Sequence, residues 1–162
     1  MNTTFKEKQK LSDWALGLVT LLLIPIGLLF IYGIYQQIFL GEVFGDKPVS
    51  DLVLVLLFLL VFGLLVFFWA LNLQTKIDQT GIQLRFFLFI KKELKWSEIA
   101  AIEVVDYGFI GGWGIRFTQQ YGTAYTTKGR IGIAIQLKSG KKLLLGTQKG
   151  AEVDAVLKKY LN

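Results

Sequence analysis

Ala15–Gly41 reads ALGLVTLLLIPIGLLFIYGIYQQIFLG, and Leu52–Thr75 reads LVLVLLFLLVFGLLVFFWALNLQT. Neither stretch contains a charged residue, and only ten residues separate them. An apolar run of about 18 residues or more reads as a membrane-spanning helix. At about 1.5 Å per residue the two runs reach roughly 40 and 36 Å as helices. The hydrocarbon core is about 30 Å thick, so both cross it with tilt or with their ends among headgroups. Spans are predicted over about 15–40 and 52–73, joined by an outside loop over 41–51. A signal peptide is the competing reading of the first run. Its apolar region is too long for that, and no small-x-small cleavage pattern follows.

Outward from these runs, the charges set an orientation. The tail, residues 1–14, carries Lys6, Lys8 and Lys10 with Glu7 and Asp13, while the loop holds Glu42, Asp46 and Asp51 against Lys47. Lysine and arginine stay on the cytoplasmic side, so the expectation is a two-pass protein of the cytoplasmic (inner) membrane with both termini cytoplasmic. Pro25 favours a kink, and Gly17, Gly27, Gly33 and Gly63 permit close helix approach. Trp14, Tyr32, Tyr35 and Trp69 lie toward the run ends, where an aromatic belt sits. No ionisable residue lies within either span, and ion paths and proton relays usually need one. The hairpin therefore reads as an anchor rather than a pore.

Residues 74–162 change character. They hold 14 Lys+Arg against 7 Asp+Glu in a chain whose net charge is +6. Ile82, Leu84, Phe86, Leu88 and Ile90 alternate with Gln83, Arg85, Phe87 and Phe89, which predicts one long strand. Asp78–Gly81 before it is a turn. Further strands are predicted over Lys92–Trp96, Ala101–Tyr107, Trp113–Thr118, Ala124–Thr127 and Ile133–Leu137. Ser139-Gly140 makes a two-residue hairpin turn into Lys141–Leu145. Trp96 and Trp113 are expected in the core. The glycine-rich stretch Gly108–Gly114 is read as a bend or bulge, because no helix or Lys-Ser/Thr ending follows to make it a phosphate cradle. Val153, Val156, Leu157, Tyr160 and Leu161 follow helical spacing, with Glu152 and Asp154 early and Lys158 and Lys159 late, as the helix dipole favours.

The segments IDQTGIQLRF (77–86), LKWSEIAAIEV (94–104), GGWGIRF (111–117) and GIAIQLKSGKKLLLGTQ (132–148), after two apolar helices and before a closing helix, resemble bacterial membrane proteins with a pleckstrin-homology-like domain. The resemblance implies an α+β membrane protein: a transmembrane hairpin, then an antiparallel β-barrel of about seven strands capped by the C-terminal helix over 74–162. Phosphoinositide-binding members carry basic residues in and after the first strand-to-strand loop. Here that loop, Asp78–Gly81, is short and acidic, so inositol-phosphate recognition is not expected. This fold serves many binding roles and does not itself fix one.

The candidate binding face follows from the strand alternation. Arg85, Phe87, Phe89 and Lys91 are expected opposite the core, a pair of aromatics flanked by cations that suits a membrane surface or a partner protein. Lys92 and Lys95 extend the basic edge, and Arg116 is a weaker addition. Near a bilayer each lysine or arginine gains about 1 kcal/mol from anionic lipid. The expected partners are the bilayer, anionic lipid headgroups, and a protein partner or a second copy. Nucleic acid is not expected, since no binding motif is present and the membrane accounts for the charge. The chain has no His and no Cys, only four serines and no metal-ligand spacing, so no catalytic, cofactor or metal site is predicted. The expected role is a membrane-anchored binding or scaffold module. The alternative is a small accessory subunit of an oligomeric membrane complex.

Overall fold

The computed structural model describes residues 4–87 and 90–161. The chain divides into two units: Asp13–Ala70, and the segment up to Ser12 together with the chain from Leu71.

The first unit is a helical hairpin. Helix α1 (Asp13–Ile34) contains Pro25 and runs into a π-helical turn, Tyr35–Phe39, and helix α2 spans Asp51–Ala70. Both helices are long and apolar enough to cross a membrane. They pair along their length, with Trp69 Nε1 donating to Thr20 Oγ1 at 3.1 Å and Gly27 facing Val61. At the loop end Gln37 Nε2 donates to the Val49 carbonyl at 2.8 Å and to Asp51 Oδ1 at 2.6 Å. Those two bonds tie the π-turn to the start of α2.

Among the described residues the second unit holds nine strands and one α-helix: β1 (Phe5–Lys10), β2 (Asn72–Asp78), β3 (Gly81–Phe86), β4 (Ile90–Lys95), β5 (Ile99–Asp106), β6 (Gly114–Thr118), β7 (Gly122–Thr126), β8 (Ile131–Leu137), β9 (Lys142–Gly146) and α3 (Gly150–Leu161). They form two sheets rather than a closed barrel. Sheet 1 is antiparallel in the order β1-β2-β3-β4, and sheet 2 runs β5-β8-β9-β7-β6 with a parallel β7–β9 pair. The core lies between them: Leu73, Ile77, Ile82 and Leu84 from sheet 1, Ile133, Ile135 and Leu145 from sheet 2, and Val153, Val156 and Leu157 from α3. Each aliphatic side chain fully buried there contributes roughly 1.5–3 kcal/mol.

Several expectations are corrected. Phe5–Lys10 is a strand, not a tail. It pairs with β2 from Phe5↔Ile77 to Lys10↔Asn72, so the helical hairpin is an insertion between two paired strands. The long strand predicted through Ile90 breaks in two. β3 ends at Phe86, and Phe87 turns the chain at φ 53°, donating its N–H to the Asn72 carbonyl at 2.8 Å. A bulky residue in that left-handed region is uncommon. Here the half-buried Phe87 packs against the core, and that contact holds the turn in place of the missing glycine. Phe87 therefore does not belong to an outward face. Phe89 lies outside the described residues.

The alternation of Ile115 and Phe117 survives in register, but not their burial, while the half-buried Trp113 lies just before β6. β6 is the edge of sheet 2, and Phe117 is 86% exposed. Ile115 and Phe117 sit opposite Tyr125 and Thr123 on β7, and as edge-strand residues they are left open while Tyr125 is buried. Trp96 packs against the core as expected, stacking on Tyr160 at 5.3 Å between ring centroids and donating to the Asp78 carbonyl at 2.9 Å. The glycine-rich loop lays Tyr107 and Ile110 over Ala124 and Leu144, a small second cluster on the far side of sheet 2.

Candidate functional site

Strand alternation sends one face of sheet 1 into the core and leaves the other to carry charge. On β1 Phe5, Glu7 and Gln9 are buried while Lys6, Lys8 and Lys10 are exposed. On β2 Leu73, Thr75 and Ile77 are buried, leaving Gln74, Lys76 and Asp78 on the other side. β3 offers Gln83 and Arg85, and β4 offers Lys91, Glu93 and Lys95. The registers align these residues in rows across the sheet. One row is Lys6, Lys76, Gln83 and Glu93. The next is Lys8, Gln74, Arg85 and Lys91.

Seven cations thus share a face with two carboxylates, and both carboxylates are engaged. Lys76 Nζ lies 2.6 Å from Asp78 and Lys91 Nζ 2.8 Å from Glu93. The ammonium of Lys76, with the Thr80 hydroxyl and amide, holds the Asp78 carboxyl far below the usual carboxylate range. Lys91 lowers Glu93 in the same way. Among the described residues the side-chain cations of Lys6, Lys8, Lys10, Arg85 and Lys95 form no ion pair with a carboxylate, although the Lys95 backbone N–H donates to Glu98 at 2.9 Å. Two like-charged pairs, Lys6↔Lys76 and Arg85↔Lys91, stand directly across adjacent strands, an arrangement that costs stability.

Of the predicted site residues, the structure brings Arg85, Lys91 and Lys95 onto this face. It turns Lys92 away: with Ile90 and Leu94 it points inward, and its Nζ lies 5.2 Å from the centre of the Tyr125 ring. Arg116 is on β6 in the other sheet, against Gly112. The sequence reading missed Lys76 and the three β1 lysines as parts of a site. Their signal was the two-residue alternation of Phe5-Lys6-Glu7-Lys8-Gln9-Lys10, obscured because two of its three buried positions are polar.

Those two buried polar residues secure the face. Glu7 accepts from the Thr147 hydroxyl at 2.7 Å and from the Gln148 amide at 2.8 Å. Gln9 donates to the Gly146 carbonyl at 2.7 Å and accepts from the Thr127 hydroxyl at 3.1 Å. Gln148 Nε2 in turn donates to the Lys128 carbonyl at 2.7 Å. The Gly146-Thr147-Gln148 segment is therefore a clamp that fastens β1 to sheet 2. Among the described residues no group of three or more acidic side chains could hold a metal ion. No protein-family model matches the chain, and no curated protein matches it.

Proposed function

We propose that this protein is a membrane-anchored binding module. In this reading α1 and α2 hold it in the inner membrane with both termini cytoplasmic. The two-sheet domain, pleckstrin-homology-like in kind, presents the basic face of sheet 1 to an anionic partner: a protein, another copy or lipid. The hairpin reading is supported by outward-facing leucines such as Leu21 and Leu52, 71% and 68% exposed, a surface that suits hydrocarbon and not water. The register of β1 with β2 ties both ends of the hairpin to one sheet, which supports a domain lying on a single side of the bilayer.

The observation that carries the reading is the excess of cations on this face of sheet 1, seven against two carboxylates, with two like-charged pairs opposed across strands. Selection for stability alone removes such pairs, and a bound anion relieves them. The test is photo-cross-linking in native membranes, with benzoylphenylalanine placed at Gln74 or Gln83 in the middle of the face. Gln136, exposed on β8, serves as control. Adducts from the face and not from Gln136 are the expected result. Equal or absent adducts at both would overturn the assignment of the face.

A further inference from the structure

We infer that the anion held by the face of sheet 1 is the headgroup phosphate of anionic phospholipid in the bilayer that holds the hairpin. The inference rests on the reading of that face as the binding face, and it names the ligand. Three observations carry it. The first is charge complementarity: the row Lys8, Gln74, Arg85, Lys91 contains three cations, of which Lys8 and Arg85 have no carboxylate partner among the described residues. The second is chemistry. The row is polar and free of apolar side chains and lines an open depression, with a guanidinium at Arg85 whose fork suits phosphate oxygens. The depression is open rather than enclosed, so headgroups at the end of a lipid can reach its cations.

The third is chain connectivity. Lys10 precedes the first residue of α1, Asp13, by three positions, and Lys8 by five. Gln74 follows the last residue of α2, Ala70, by four. An extended chain spans at most about 3.3–3.6 Å per residue, so the covalent link alone keeps Lys8 within roughly 18 Å of the start of α1 and Gln74 within roughly 14 Å of the end of α2. The headgroup layer is several ångströms deep, and charges act across a Debye length of about 8 Å at physiological salt. Lys8 and Gln74 are thus tethered to the bilayer that carries the hairpin, and its headgroups meet them at no cost of bringing the molecules together. A soluble polyanion must pay that cost.

The experiment uses the purified full-length chain in nanodiscs, with benzoylphenylalanine at Gln83 and lipid adducts read by intact mass. One set of discs is phosphatidylcholine alone, and the other contains one-fifth phosphatidylglycerol. The expected result is phosphatidylglycerol adducts far in excess of its share of the lipid. With Lys8→Glu and Arg85→Glu together they fall by at least about tenfold, while near-UV circular dichroism stays unchanged. The excess persists in millimolar inorganic phosphate.

Adducts in proportion to lipid composition would overturn the inference. So would loss of the excess in inorganic phosphate, which assigns the site to free phosphate instead. If Gln83 captures no lipid in discs but captures a protein in native membranes, the face remains a binding face and the lipid assignment falls. If it captures nothing in either, both readings fall.

Discussion

Glu7 is the residue whose loss tests the assembly of the domain most sharply. Its side chain is 8% exposed on an edge strand, yet it reaches across to Thr147 and Gln148, some 140 positions later. Glu7→Ala deletes two hydrogen bonds to a charged acceptor, each worth roughly 1.5–3 kcal/mol. It also relieves the desolvation of a buried carboxylate, which offsets part of that loss. What remains is a buried hydroxyl and an amide with no acceptor, so the net cost is about 3 kcal/mol. For a domain of this size each kcal/mol shifts the melting temperature by roughly 4–8 °C. Glu7→Ala should therefore lower the near-UV circular dichroism midpoint of the full-length protein in detergent by roughly 12–24 °C. Glu7→Gln keeps an acceptor for one donor and should cost about half as much. Lys8→Ala, next to it but exposed, should stay within about 0.5 kcal/mol of the parent. A Glu7→Ala cost no larger than that of Lys8→Ala would refute the clamp, and with it the placement of β1 in the sheet.

Three further outcomes follow from the geometry. Gly81 closes the β2–β3 turn at φ 145°, and a Cβ there would overlap the Leu94 carbonyl. Gly81→Ala should thus destabilise by more than about 2 kcal/mol, measured in the same melt, and a neutral result would place the β3–β4 pairing in doubt. Phe87→Ala removes a core contact at a strained turn and should cost about 2–3 kcal/mol; an unchanged midpoint would return Phe87 to the surface. Asp78 and Glu93 both titrate below their ordinary values, so the stability they add is present above the usual carboxylate range and lost as pH falls through the lowered values. The chain has no histidine, so association of the sheet 1 face with anionic vesicles should be flat from pH 8 to 5. It should strengthen only in strong acid, as Lys76 and Lys91 lose their partners. A step near pH 6 would be inconsistent with the face as described.

The two spans and most strands were legible because their signals are local. Uncharged runs, strict alternation and the Ser139-Gly140 turn each lie within a dozen residues. What was hidden depended on distant partners. Phe5–Lys10 alternates cleanly, but Glu7 and Gln9 look like surface residues until Thr147, Gln148 and Gly146 arrive to satisfy them. The break at Phe87 gave no warning, since Leu84–Ile90 holds no Gly, Pro, Asn or Asp, and the turn is fixed by packing rather than by turn chemistry. The site was half legible for the same reason. Arg85, Lys91 and Lys95 follow from alternation alone. Their alignment with Lys6, Lys8 and Lys76 exists only in the register, and the register needs β1. Phe117 shows the converse: its inward phase was readable, but its exposure follows from its place on the edge strand of sheet 2, which only the strand order reveals.

The insertion of the hairpin between β1 and β2 also bears on how the sheet can form. Pairing Lys10 with Asn72 closes a loop of about sixty residues, whose length-dependent entropy, (3/2)RT ln n, is roughly 3–4 kcal/mol. The hairpin removes most of that cost. Antiparallel pairing of α1 and α2 sets Trp69, near the end of α2, against Thr20, near the start of α1, so the chain enters and leaves the helix pair at the same end. With the helices formed, β1 and β2 are joined as if by a short turn. β1 alone offers the core only Phe5 as a buried apolar side chain, too little to hold an edge strand against so large a closure cost. Helix pairing and the Glu7–Gln9 clamp are therefore complementary: one brings the strand to its place, and the other holds it there. The three lysines that complete the basic face depend on both.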